Sequence, residues 1–204
     1  MQSSTYHALT KDPDGDAPLV FAFHGTGGDE TQLFGLAQEL VPHGGVISPR
    51  GDVLENGAAR FFRRTGEGVY DMEDLARATD KMAAFVDDWR DQFPNREVYG
   101  FGYSNGANIL ASVMMARPDL FDRVGVLHPL IPWNPNEVAG LAGRSVLITA
   151  GQHDPICPWP MTEKLVAWAS AQGACVSTSF HAGGHEIRRE ELAALAAQLT
   201  TAPG

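Results

Sequence analysis

The sequence contains few cysteines and few basic residues. Its two cysteines, Cys157 and Cys175, lack the spacing of a metal site. Lys and Arg number 15 against 25 Asp and Glu, which gives a formal net charge of −10. The nearest basic cluster, Arg60, Arg63 and Arg64, lies among acidic neighbours, whereas phosphate binding needs clustered cations. We therefore expect no nucleic-acid partner and a reduced, cytoplasmic environment with two free thiols, although a single disulfide stays open.

Long apolar runs are also missing. No uncharged run approaches the ~18 residues that a membrane-spanning helix needs. Residues 1–16 lack the basic-then-apolar pattern of a signal peptide. Because one hydrophobic core serves chains of up to ~250 residues, we expect a single domain over residues 1–204 with no membrane span. The sequence leaves open whether this domain forms a homodimer.

Short apolar runs alternate with helical patterns along the whole chain. The apolar runs predict strands over residues 18–24, 44–49, 97–103, 123–129, 144–151 and 174–181. Helices are predicted over about 30–40, 71–93, 105–116, 161–171 and from about 186 onward, with a long loop over 50–70. Strands that are apolar on both faces and alternate with helices are typical of an α/β fold. We expect a mostly parallel central sheet with helices on both faces.

A serine lies between glycines where a predicted strand meets a predicted helix. Residues 102–106 read Gly-Tyr-Ser-Asn-Gly, a G-x-S-x-G pattern. The pentapeptide alone occurs by chance, but between a strand and a helix it is the pattern of a nucleophile elbow. A Cβ two positions before or after the serine would collide with neighbouring backbone at such a turn. We therefore expect the turn to present Ser104 as a nucleophile, rather than only to cap a helix.

A serine nucleophile needs a base, and the base needs an acid to orient it. Ligands of parallel sheets bind beyond the carboxyl ends of the strands, and Asp154 and His185 follow the last two predicted strands. Asp154 stands in an Asp-Pro pair, which is also a common turn former. His181 and His128 follow strands as well and compete with His185. The chain order serine, acid, histidine favours Ser104, Asp154 and His185 as a catalytic triad.

Two backbone amides are predicted to form an oxyanion hole. The amide of Asn105 follows the nucleophile at the positive end of a helix. Thr26 lies in the glycine-rich loop HGTGGDE after the first long strand, where backbone N–H groups can turn inward. The same loop lacks the ending of a P-loop and the G-x-G-x-x-G dinucleotide pattern, which argues against nucleotide binding.

Five segments carry a family resemblance over almost the whole chain: FAFHGTGGDE, RFFRRTGEGVYDMEDL, YGFGYSNGANI, ITAGQHDPICP and GGHEI. With these motifs the sequence resembles the α/β-hydrolase superfamily, and most closely its bacterial carboxylesterase/phospholipase branch related to acyl-protein thioesterases. The resemblance implies an α/β-hydrolase fold and a serine hydrolase of esters or thioesters that uses no cofactor. It assigns the same triad and the same oxyanion amides. Thr26 replaces an apolar residue and Asn105 a glutamine of the family pattern, which argues against a long-chain acyl substrate.

The length leaves little room for a lid domain. We expect Phe61 and Tyr70 of the long loop, Ile131 and Trp133 of the proline-rich loop, and Ile156 beside the predicted acid to line a substrate pocket. Ordinary core filling is the alternative for each aromatic residue.

The sequence thus predicts a serine esterase for small to medium acyl esters. A thioesterase or lysophospholipase of the same mechanism remains open, as does a non-catalytic protein that binds a small ligand on a hydrolase scaffold. A metal-dependent hydrolase would have to use residues such as His24, His153, Asp154 or His185. No H-E-x-x-H or comparable ligand spacing supports it, so we predict no metal site.

Overall fold

The computed structural model describes residues 5–200. In chain order its elements are β1 (Ala8–Lys11), β2 (Leu19–Phe23), α1 (Phe34–Leu40), β3 (Gly45–Pro49), β4 (Val53–Glu55), β5 (Ala58–Arg60), β6 (Arg64–Gly66), β7 (Val69–Tyr70), α2 (Met72–Gln92), β8 (Val98–Tyr103), α3 (Asn105–Ala116), β9 (Arg123–Leu127), β10 (Ser145–Gly151), α4 (Trp159–Ala171), β11 (Cys175–His181) and α5 (Arg189–Thr200). No helix within this part of the chain is long and apolar enough to cross a membrane.

Seven strands form the central sheet in the order β1-β3-β2-β8-β9-β10-β11. Every neighbouring pair is parallel except β1 and β3, which confirms the mostly parallel sheet. The sequence analysis missed β1, because this four-residue edge strand is half exposed and has no apolar run to mark it. The carboxyl ends of β2, β8, β9, β10 and β11 therefore meet at one edge of the sheet.

Helices cover both faces of the sheet, as predicted. On one face, α2, α3 and α4 bury residues such as Met82, Ile109 and Leu165 against β2, β9 and β10. On the other face, α1 and α5 contribute Ala37 and Leu195 to a second, smaller core. The part of the chain that the structure describes contains no large lid, so the predicted fold class is confirmed.

The segment over residues 50–70, predicted as a long loop, forms two β-hairpins instead. The first pairs β4 with β5 around Asn56 and Gly57, whose φ angles are 51° and 84°. Asn-Gly is the dipeptide that favours such a turn, so the signal was present in the sequence. The second hairpin pairs β6 with β7 around Gly68, at φ 67°. Both hairpins lie between β3 and α2.

Two predicted helices begin later than expected. α1 starts at Phe34 because Asp29 first holds a turn, accepting the N–H of Thr31 at 2.9 Å. α5 starts at Arg189, where the carboxylate of Glu191 accepts the N–H of Arg188 at 2.7 Å. A glutamate at the third helical position that caps the preceding amide is a helix-start signal. The segment before α5 therefore remains a loop that follows β11.

Candidate active site

The turn between β8 and α3 holds Ser104 in a strained backbone conformation, with φ 52° and ψ −115°. A Cβ on Gly102 would come within 2.6 Å of the backbone of Gly106, and a Cβ on Gly106 would overlap the carbonyl oxygen of Phe23. Glycine is therefore required on both sides of the serine, which confirms the expected crowding. The Ser104 N–H donates to the carbonyl of Leu127 at 2.9 Å, so the neighbouring strand holds the turn in place.

The structure brings the three predicted side chains together. Ser104 Oγ lies 2.9 Å from His185 Nε2, and His185 Nδ1 lies 2.6 Å from Asp154 Oδ2. They come from the β8–α3 turn, from the loop after β11 and from the loop after β10. The Asp154 side chain has no exposed surface, whereas the His185 side chain is 17% exposed. Since Nδ1 faces a carboxylate it carries a proton, which leaves Nε2 free to accept the serine proton.

Hydrogen bonds hold Asp154 as a carboxylate. Its Oδ1 accepts the N–H groups of Ile156 at 2.8 Å and Cys157 at 3.0 Å. Burial by itself raises the pKa of Asp154, but the hydrogen bonds from the Cys157 amide, His128, His185 and the Ile156 amide outweigh it, so that the pKa lies below its usual value. The group is therefore ionised at neutral pH and can orient an imidazole on its other oxygen.

The loop that carries His185 is anchored on the end of β10. The N–H of His153 donates to the carbonyl of Gly183 at 2.9 Å, and a Cβ on Gly151 would overlap the carbonyl oxygen of Gly184. From β8, the hydroxyl of Tyr103 donates to the carbonyl of His185 at 2.6 Å. The sequence analysis missed Tyr103, although it stands next to the serine in the G-x-S-x-G pattern. These contacts fix the backbone from which the imidazole projects.

Two other histidines do not face the serine. His24 donates from Nδ1 to the carbonyl of Gly25 at 2.7 Å, and its Nε2 accepts the N–H of Gly51 at 2.9 Å. Burial lowers the pKa of His24, so the ring is neutral and joins the loops after β2 and β3. The exposed His153 ring bonds the carbonyl of Ala182 at 2.7 Å.

His128 and His181 belong to a buried cluster behind Asp154. His128 Nδ1 lies 2.9 Å from Asp154 Oδ2, and its Nε2 lies 3.0 Å from Glu191 Oε1. His181 Nε2 lies 3.1 Å from Glu191 Oε2. The sequence analysis considered both histidines as competitors for the catalytic base, and neither contacts the serine. It missed Glu191, whose position in the first turn of a helix resembles that of an ordinary surface glutamate.

Two groups in this region have ligand atoms close enough together to hold a metal ion: His128, His181 and Glu191, and His128, Asp154 and His185. Asp154 Oδ2 has hydrogen-bond contacts with His128 Nδ1 and His185 Nδ1. His181 Nδ1 accepts the N–H of Gly183 at 3.0 Å, so its Nε2 is the nitrogen that faces Glu191. His128 Nε2, His181 Nε2 and Glu191 Oε1 make no hydrogen bond, so the absence of a metal site stays a prediction.

The predicted oxyanion donors belong to the start of α3 and to the loop after β2. Asn105 is the first residue of α3, so its N–H has no partner within the helix. Its side chain has a separate role, because Oδ1 accepts the N–H of Phe61 at 2.8 Å. Arg60 Nη1 donates to Thr26 Oγ1 at 2.8 Å, which ties the loop after β2 to the first hairpin. The oxyanion hole itself stays a prediction.

The predicted pocket residues differ in exposure. Phe61 has no exposed surface, and its ring centroid lies 4.6 Å from that of His24, tilted by 33°. Ile131 and Tyr70 are also buried, and the Tyr70 hydroxyl donates to the carbonyl of Leu130 at 2.8 Å. These three side chains therefore fill core space, and a pocket role for them stays a prediction.

Trp133 and Ile156 keep exposed surface. The half-buried Trp133 lines an apolar groove with Leu75, Met115 and Val138. Ile156 is 53% exposed and follows Asp154 by two residues. A pocket role therefore stays a prediction for these two residues.

Comparison with known proteins identifies the family. No family model matches the sequence. The chain is 37% identical over 175 residues to MhqD of Bacillus subtilis (strain 168), whose name describes a hydrolase, and the match covers 85% of this chain and 88% of MhqD. It is 34% identical to the carboxylesterase of Bacillus cereus, with a TM-score of 0.91, over 97% of this chain and 94% of that one. The chain belongs to the α/β-hydrolase superfamily.

This α/β-hydrolase is also similar to Atu2452 of Agrobacterium tumefaciens str. C58, a protein of unknown function. The two are 48% identical, with a TM-score of 0.92, and the match covers 100% of both chains. The likeness to these proteins confirms the predicted superfamily.

Proposed function

We propose that this α/β-hydrolase is a serine esterase that cleaves carboxylic esters of small to medium acyl groups through an acyl-enzyme on Ser104. The proposal depends on one observation. His185 Nε2 lies 2.9 Å from Ser104 Oγ, and His185 Nδ1 lies 2.6 Å from Asp154 Oδ2, both within hydrogen-bond distance. A protein that only binds a ligand has no need for a serine, a base and an acid in this order.

In the first half-reaction, Ser104 Oγ attacks the ester carbonyl carbon while His185 Nε2 takes the hydroxyl proton. Asp154 keeps the imidazole in the tautomer with the proton on Nδ1 and stabilises its charged form. The carbonyl oxygen becomes an oxyanion, which the N–H groups of Thr26 and Asn105 stabilise. His185 then gives its proton to the leaving alkoxide, and the acyl group stays on the serine.

In the second half-reaction, water replaces the alcohol. His185 takes a proton from the water, whose oxygen attacks the acyl carbon, and returns that proton to Ser104 Oγ as the acid leaves. No step requires a metal or a cofactor. Because all proton transfers use one imidazole, the activity depends on its being neutral when the substrate binds.

The substrate range follows from the surroundings of the site. The active-site edge has no large lid, and the half-exposed Ile156 and the exposed Thr26 border it. We infer an open, shallow acyl site rather than a deep tunnel. We also assign the chain to one cytoplasmic domain, which the two unpaired thiols of Cys157 and Cys175 support.

The test is hydrolysis of p-nitrophenyl acetate, butyrate, octanoate and palmitate by the protein and by Ser104→Ala. We expect turnover of the shorter esters, with little for palmitate, and a fall in kcat of roughly 10³-fold or more in the variant. Ser170→Ala, in an exposed position on α4, is the matched control and keeps the kcat of the wild type.

A fluorophosphonate probe distinguishes an esterase from a binding protein, because only an activated serine reacts with it. The probe should label the wild type and Ser170→Ala but not Ser104→Ala. Equal rates of ester hydrolysis in wild type and Ser104→Ala would contradict the proposal.

A further inference from the structure

His128 lies between two buried carboxylates, those of Asp154 and Glu191. It follows β9, and its ring has no exposed surface. Nδ1 lies 2.9 Å from Asp154 Oδ2 and Nε2 lies 3.0 Å from Glu191 Oε1, and neither acid has exposed side-chain surface. The triad's acid is therefore shared between two imidazoles, His185 on one side and His128 on the other.

This contact pattern determines the protonation of the ring. A neutral imidazole has one N–H, so its second nitrogen would turn a lone pair towards a carboxylate. The imidazolium form instead offers a proton to Asp154 and a proton to Glu191. His128 Nε2 and Glu191 Oε1 make no hydrogen bond, so the attraction between these two groups is mainly that of opposite charges. Burial by itself lowers the pKa of His128, but the contacts with Glu191 and Asp154 outweigh it and raise the pKa.

The backbone holds the ring there at a conformational cost. His128 has φ 51°, in the left-handed region that non-glycine residues rarely adopt, at about 1–3 kcal/mol. Its N–H donates to the carbonyl of Thr149 at 3.0 Å, and its carbonyl accepts the thiol of Cys157 at 3.1 Å. Strain of this kind persists where the surrounding structure fixes it, and it is concentrated at functional sites.

Glu191 is fixed from its far side. Its Oε2 accepts the N–H of Arg188 at 2.7 Å and lies 3.1 Å from His181 Nε2. Burial by itself raises the pKa of Glu191, but the contacts with His128 and Thr149 and the hydrogen bond from the Arg188 amide outweigh it and lower the pKa. The carboxylate is therefore ionised and keeps His128 protonated.

We propose that His128 is a positioning residue, held as an imidazolium between Asp154 and Glu191, whose positive charge opposes the charge that His185 gains when it takes the serine proton. Their ring centroids are 5.2 Å apart, so the positive charge of His128 opposes protonation of His185. His128 also holds the Asp154 carboxylate in line with the base. The kinetic part of this inference rests on the proposed serine mechanism.

The remaining groups around His128 do not offset this charge. The Tyr103 ring lies 5.9 Å away, and burial, followed by the Asp154 charge, raises its pKa to about 12, so it is neutral. Burial also raises the pKa of the Cys157 thiol, which is neutral as well. The His181 ring lies 5.6 Å away, and its Nε2 is 3.1 Å from Glu191 Oε2. The cluster of Asp154, His128 and Glu191 thus carries one net negative charge. The positive charge that His185 gains when it takes the serine proton neutralises this charge.

The kinetic experiment compares pH profiles of kcat/KM for the wild type, His128→Gln and Glu191→Gln. We expect the midpoint of the acidic limb in His128→Gln to move to higher pH by about one unit, because the opposing charge is lost. Glu191→Gln should move it in the same direction, since His128 loses one of the two anions that hold its second proton. KM should change little, because His128 lies behind Asp154 and does not touch the substrate.

The matched control is His43→Gln, which removes an exposed histidine from the segment between α1 and β3 and should leave the profile unchanged. Unshifted acidic limbs in both His128→Gln and Glu191→Gln would overturn the proposal.

A second readout does not depend on activity. Ring ¹⁵N chemical shifts distinguish the imidazolium from both neutral tautomers, and they can be measured in the wild type and in Ser104→Ala. We expect a doubly protonated ring at pH 7.5 that is absent in His128→Gln and neutral in Glu191→Gln. A neutral His128 in the wild type would overturn the proposal even if the esterase activity is confirmed. One bound zinc per chain, lost in His128→Gln, would also overturn it, because a metal-bound nitrogen cannot carry that proton.

Discussion

At the scale of single residues, two strained backbones lie at the ends of neighbouring strands. Ser104 follows β8 with φ 52°, and His128 follows β9 with φ 51°. Each N–H extends the ladder of hydrogen bonds, Ser104 to the carbonyl of Leu127 and His128 to that of Thr149. The sheet thereby offsets the local strain. The His128 ring contacts Asp154 directly, whereas the Ser104 hydroxyl is linked to Asp154 through His185.

Asn105 provides a test at this scale. Asn105→Ala removes the acceptor of the Phe61 N–H and leaves a buried amide unpaired, while the backbone N–H of residue 105 remains. We expect the free energy of unfolding, measured by urea titration, to fall by about 1–3 kcal/mol. The kcat of the folded variant should fall far less than that of Ser104→Ala.

Gln92→Ala, at the exposed end of α2, is the control and should change the free energy of unfolding by no more than about 0.5 kcal/mol. If Asn105→Ala is as stable as this control, the Phe61 contact has no structural role.

At the scale of elements, the start of α3 can pack directly on the end of β2 because a glycine, Gly106, lies at the contact. A Cβ on Gly106 would overlap the carbonyl oxygen of Phe23, which is backbone and cannot move aside. The close approach puts the N-terminus of α3 beside the loop that holds Thr26. The glycines of the G-x-S-x-G pattern therefore position both predicted oxyanion amides as well as the serine.

A pair of glycine substitutions tests this packing. Gly106→Ala should prevent folding, or lower the midpoint of thermal unfolding strongly, because the added methyl group meets backbone. Gly35→Ala in α1 meets nothing within 4 Å and should keep or raise the free energy of unfolding by up to about 1 kcal/mol. Circular dichroism during heating measures both. A stable, active Gly106→Ala would show that the junction can move apart.

At the scale of the whole molecule, the cluster behind Asp154 couples the end of the sheet to α5. Asp154 follows β10, His128 follows β9, and Glu191 lies in the first turn of α5. The pKa values of Asp154 and Glu191 are lowered in the folded protein. These carboxylates therefore stabilise the fold above their ordinary pKa values of 3.8 and 4.5, and that contribution is lost as the pH falls through the lower folded values. The pKa of His128 is raised in the folded protein. The protonated ring therefore stabilises the fold fully below pH 6.5, and that contribution is lost as the pH rises through the folded pKa.

The cluster should therefore give a stability maximum between about pH 4.5 and 6.5. Urea titrations from pH 6 to 8.5 should show a falling free energy of unfolding in the wild type and a smaller fall in His128→Gln. His43→Gln, at an exposed site, should keep the wild-type slope. Equal slopes in wild type and His128→Gln would mean that the ring is not protonated in the folded protein.

Local sequence patterns predicted most of the architecture. The apolar runs identified six of the seven strands of the central sheet, and α3 begins and ends where its pattern predicts. The edge strand β1 and the two hairpins were missed, because short, half-exposed strands carry no apolar run. For Asp154 and His185, position after a strand and chain order were sufficient, since the carboxyl ends of parallel strands meet at one edge.

The sequence by itself determined the alternation of strands and helices, the glycines of the elbow and the order of serine, acid and histidine, since each is a pattern of neighbouring residues or of chain order. Only the tertiary structure decided that His128 shares Asp154 with His185, that Glu191 is buried and that Phe61 fills the core. Those contacts join residues far apart in the chain. They depend on the order β9-β10-β11 and on the direction of each side chain, which no local pattern encodes.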